Sequence, residues 1–82
     1  MERLNAWKEK TVINGKEYTI TIIECGTVFD SYISAEHYPM MFMFGMPMDQ
    51  TQANEPMVLT LSDAMKIAIA NAPNYLYMFD ED

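Results

Sequence analysis

The sequence predicts an α+β fold, an antiparallel meander sheet of three to five strands with one helix packed on a face. Three observations predict it. An Asn-Gly pair sits between two β-branched runs, the signature of a tight hairpin. Over residues 61–72 apolar residues recur at helical spacing instead of alternating. The chain has 82 residues, 50% of them hydrophobic, which supplies one core and no more, so residues 1–82 are read as a single domain.

The hairpin comes first. Thr11-Val12-Ile13 and Lys16 to Ile22 flank Asn14-Gly15, two residues that tolerate the positive φ of a type I′ turn. In the second strand Tyr18, Ile20 and Ile22 share the expected core face, and Thr19, Thr21, Ile23 and Cys25 share the other. After a break at Cys25-Gly26-Thr27, residues 28–35 alternate again, with Phe29, Ser31 and Ile33 on one face. His37-Tyr38-Pro39 reads as a boundary, because proline gives no N–H to a ladder.

Met40-Met41-Phe42-Met43-Phe44-Gly45-Met46 follows, a strand apolar on both faces, and Pro47 ends it. One helix covers one side of so small a sheet, so part of this segment is expected to be exposed. Asp49 to Glu55 reads as a polar loop closed by Pro56. Thr60 and Asp63 form a capping signal for a helix whose stripe is Leu61, Ala64, Met65, Ala68, Ile69 and Ala72, stopped by Pro73. Tyr75 to Phe79 alternates as a short last strand, and Asp80-Glu81-Asp82 blunts its end with charge.

Twelve acidic residues against five basic ones give a net charge of −7, and residues 17–82 hold ten acids against Lys66 alone. That balance disfavours direct nucleic-acid binding, since phosphates are repelled, and favours a basic protein partner. Nothing approaches the ~20 apolar residues of a membrane span, and the start lacks the pattern of a secretion signal, so no membrane association and a cytoplasmic location are expected. One cysteine and one histidine make neither an intrachain disulfide nor a Cys/His zinc site.

Chemistry-bearing residues are sparse. Cys25 and His37 are the one combination able to form a thiolate–imidazole nucleophile, and no motif surrounds either. Glu36, His37 and Asp49 offer metal-type ligands at unrelated spacing, and the three glycines stand singly instead of forming a phosphate loop. The expectation is therefore a chain that is not an enzyme and uses no cofactor or metal. Glu24, Asp30 and Glu36 are spaced like solvated carboxylates that meet a partner. Methionine is flexible and polarisable and suits adaptable contacts, which makes Met40, Met41, Phe42, Met43, Phe44 and Met46 the apolar candidates for partner binding.

Tyr18 to Ile23, residues 28–34, Thr60-Leu61-Ser62-Asp63-Ala64 through Ala72, and Tyr75 to Phe79 run in an order that resembles the N-terminal domain of HicB-type antitoxins. The Pro-Gly-Cys segment and the Gly-Asp before the helix that mark that family are replaced by Phe44-Gly45-Met46-Pro47 and Val58-Leu59. The resemblance implies a small acidic protein that covers a basic RNase-like partner. Two functional expectations follow: a non-enzymatic inhibitor or regulator of the antitoxin or phage anti-defence kind, and a self-associating subunit whose Met-rich strand forms a homodimer interface.

Overall fold

The computed structural model describes residues 5–52 and 55–79. Leu4, Ala53, Asn54 and the acidic Asp80 to Asp82 lie outside those residues. Four strands, β1 (Ala6–Ile13), β2 (Lys16–Cys25), β3 (Val28–Ala35) and β4 (Tyr38–Pro47), form an antiparallel meander in the order β1-β2-β3-β4. A separate two-stranded hairpin, β5 (Asp49–Gln52) and β6 (Glu55–Val58), leads to helix α1 (Leu61–Asn71) and a 3₁₀ segment, Ala72–Phe79. The α+β meander with one helix packed on it is the predicted fold.

Each turn follows from its residues. Asn14 and Gly15 take φ of 53° and 80°, the paired positive values of a type I′ hairpin, and Gly26 at 59° closes β2 onto β3. At the helix start the Thr60 hydroxyl accepts from the Asp63 N–H at 3.1 Å, and the Asp63 carboxylate accepts from the Thr60 N–H at 3.4 Å, a reciprocal cap.

The core lies between one sheet face and the helix. Tyr18, Ile20, Ile22, Phe29 and Ile33 meet Ala64, Met65, Ala68 and Ala72, and Leu61 and Ile69 pack at the margin. Ser62, Asp63, Lys66 and Ala70 face outward, as the helical spacing requires.

Four expectations are corrected. Tyr75 to Phe79 is not a strand. Ala72, Tyr75, Leu76 and Phe79 recur at helical spacing, and this is the side that meets the core, while Tyr77 is 70% exposed. Pro73 gives no N–H to the α ladder, and the turns tighten from Ala72, whose N–H bonds to the Ile69 carbonyl. The polar stretch from Asp49 forms the β5–β6 ladder, which needs no apolar alternation because backbone pairing alone builds it. The first strand begins at Ala6, five residues before Thr11, since the long β2 offers its amides as far as Ile23. Residues 6–10 are therefore part of the sheet. Finally, Tyr38-Pro39 opens β4, and the chain breaks at Glu36-His37 instead.

Candidate interaction surface

The sheet face opposite α1 is assembled by register. Lys8, Lys10 and Val12 of β1 pair with Thr21, Thr19 and Glu17, and Thr21 and Ile23 pair with Tyr32 and Asp30. Tyr32 in turn faces Phe42, and the two rings meet edge to face at 5.5 Å. Val12 is 66% exposed and Phe42 52%, so apolar surface lies in the open here.

Phe42 reaches this face because β4 is irregular. The ladder shifts between Ser31 and Tyr32, whose partners are Phe44 and Phe42, so Met43 is an extra residue. Met43 and Phe44 then both point to the helix side, where Met43 is 7% exposed and Phe44 stacks on Tyr75 at 5.6 Å. The buried Ser31 holds the irregularity: its hydroxyl donates to the Phe44 carbonyl at 2.6 Å and accepts from the Phe44 N–H at 3.3 Å. Of the apolar candidates, Phe42 therefore lies on the open face, and Met40 is exposed at the second irregularity of the ladder, between the partners of Ile33 and Ala35. Met41, paired with the buried Ile33, lies on the helix side with Met43, Phe44 and Met46. Val12, Ile23 and Tyr32 are members of the open face that sequence reasoning did not select, although period-two alternation from Thr19 and Thr21 points to Ile23 and from Asp30 to Tyr32.

The three carboxylate candidates do not converge. Asp30 is half-buried on the open face, Glu24 is half-buried at the far end of β2 on the helix side, and Glu36 is exposed in the β3–β4 turn. Glu36 stands 3.9 Å from His37, and both side chains are in solvent. Cys25 and His37 sit at opposite ends of β3, about 26 Å apart at ~3.3 Å per residue, so they do not form a nucleophile pair. Burial pushes the Cys25 thiol above its ordinary value, and its hydrogen bond to Asp30 and the charge of that carboxylate add to the effect. A thiol held protonated is the reverse of an activated one. Among the described residues no three His, Cys, Asp or Glu side chains cluster as a metal site, and no helix is long and apolar enough to cross a membrane.

Compared with family models, curated proteins and solved structures, the chain matches none.

Proposed function

We propose that this chain is a non-enzymatic protein-binding module, a small acidic inhibitor or regulator of the antitoxin or anti-defence kind that covers a basic surface of its partner. The distribution of charge supports the reading. On the open face Lys8 and Lys10 offset Glu17 and Asp30, with Lys10 and Glu17 at 3.7 Å, so that face is close to neutral. Glu9, Glu36, Asp49 and Asp63 are exposed elsewhere, against Lys16 and Lys66, and these carboxylates make the rest of the surface acidic. An acidic surface steers association with a basic partner and repels nucleic-acid phosphates. The order of a meander followed by a Thr60-capped helix supports the antitoxin-like reading, and the 3₁₀ segment departs from it, standing where HicB-type domains would have a last strand.

The test is affinity capture from the native cells at low and at high salt. A basic protein that is released as salt rises, and whose activity falls on stoichiometric addition of this chain, is the expected result. Retention unchanged by salt would overturn the carboxylate-steered reading.

A further inference from the structure

We infer that the open sheet face is covered by a second copy of this chain, in a face-to-face dimer in which β1 of each copy lies over β4 of the other. The inference goes beyond the functional reading above, since it uses a different surface and needs no partner.

Three routes to self-association are open to such a sheet, and two are obstructed. Pairing along β4 is opposed by Pro39 and Pro47, which give no N–H, and by two irregularities in its ladder. Pairing along β1 is opposed by charge. The Glu24 N–H bonds to the Asn5 carbonyl, and alternation from there directs the backbone groups of Ala6, Lys8, Lys10 and Val12 away from β2. A two-fold antiparallel pairing of these positions centred on Lys8, Glu9 or Lys10 sets lysine against lysine, which destabilises a strand pair.

The face itself meets what a dimer requires. Four strands at ~4.8 Å spacing and eight residues at ~3.3 Å rise give a patch of about 500 Å². Two such patches remove on the order of 1,000 Å² from water, the lower bound of a specific interface. The near-balance of Lys8 and Lys10 with Glu17 and Asp30 lets two copies approach despite a net charge of −7 on each.

Charge also selects the orientation. Lys8, Thr21, Tyr32 and Phe42 form one row across the sheet. A two-fold axis parallel to the strands lays that row on its reverse, with Lys8 over the aromatic face of Phe42 in the other copy, a cation–π arrangement. An axis across the strands would put β1 on β1 and set the lysines of the two copies against each other.

Light scattering coupled to size exclusion, run from micromolar to millimolar protein, reads the outcome. The expected mass is twice 9.5 kDa, and Phe42→Glu and Val12→Glu are each expected to return the monomer with an unchanged circular dichroism spectrum, because both side chains are exposed in the single copy. In a Cys25→Ser background, Lys8→Cys mixed with Phe42→Cys is expected to give an intermolecular disulfide, and Lys8→Cys alone none. A monomer at millimolar concentration overturns the dimer, whatever the result of partner capture. A dimer that survives both Glu substitutions moves the contact to another surface, and ready cross-linking of Lys8→Cys to itself overturns the orientation.

Discussion

The Thr21 side chain is 2% exposed, and its hydroxyl has no hydrogen-bond partner among the described residues, although it lies on the sheet face that the helix does not cover. An unpaired buried hydroxyl is a net cost, and Thr21→Val is expected to raise stability by about 1 kcal/mol, read as a higher midpoint in urea. Ser31 is the opposite case. Its hydroxyl serves both the N–H and the carbonyl of Phe44, so Ser31→Ala is expected to cost about 1–3 kcal/mol by orphaning buried groups. For Cys25 the readout is alkylation. The thiolate reacts, and a raised pKa keeps it scarce, so modification of the folded protein is expected to lag the unfolded chain at neutral pH and to accelerate only at higher pH than a free thiol. Asp30→Asn removes the carboxylate contribution and is expected to shift that profile to lower pH, leaving the effect of burial in place.

Within β4, neighbouring methionines have opposite fates. Met43 fills the core and Met40 is 46% exposed, so Met43→Ala is expected to cost about 2–5 kcal/mol and Met40→Ala about 0.5 kcal/mol or less in the monomer. A chemical-denaturation series on the two variants separates them. At the helix, Thr60→Ala removes both halves of the cap, and a loss of about 1 kcal/mol is expected in the same measurement. Which elements were legible in the sequence follows the strength of the local chemistry. The Asn14-Gly15 turn, the β2 and β3 faces, the Thr60 cap and the α1 stripe rest on residues whose geometry admits few alternatives. The bulge at Met43 was not legible, because it depends on a hydroxyl thirteen residues away that only the folded sheet brings to Phe44. That a face of the Met-rich strand would be exposed was legible from the size of the chain, but the division of its side chains between faces turns on that bulge. The 3₁₀ segment was missed because Tyr75, Tyr77 and Phe79 also satisfy a two-residue period, and packing against Tyr18, Tyr38 and Phe44 chooses the helical one.

The whole molecule is thin. Its principal extents are 46 × 36 × 19 Å, and its radius of gyration of 13.9 Å exceeds the ~12 Å of a compact chain of this length. A sheet and one helical layer account for that thickness, and a face-to-face pair would give a helix–sheet–sheet–helix sandwich with its carboxylates outward. The two kinds of association then respond differently to salt. Dimerisation through a near-neutral apolar face is expected to change little between low and high ionic strength, while capture by a basic partner weakens, and sedimentation beside binding titrations checks both. The strand order also bears on how the chain acquires its structure. Every strand of the meander pairs with its sequence neighbour, an arrangement of low contact order that favours rapid assembly. The helix that covers Ile20, Ile22, Ile33 and Met43 comes after all four strands. As the chain emerges from a ribosome, a sheet complete to Pro47 would show apolar residues on both faces until Leu61 to Phe79 follow. That interval is when the nascent chain is most prone to stick to its neighbours, and a truncation after Pro47 is expected to aggregate instead of folding.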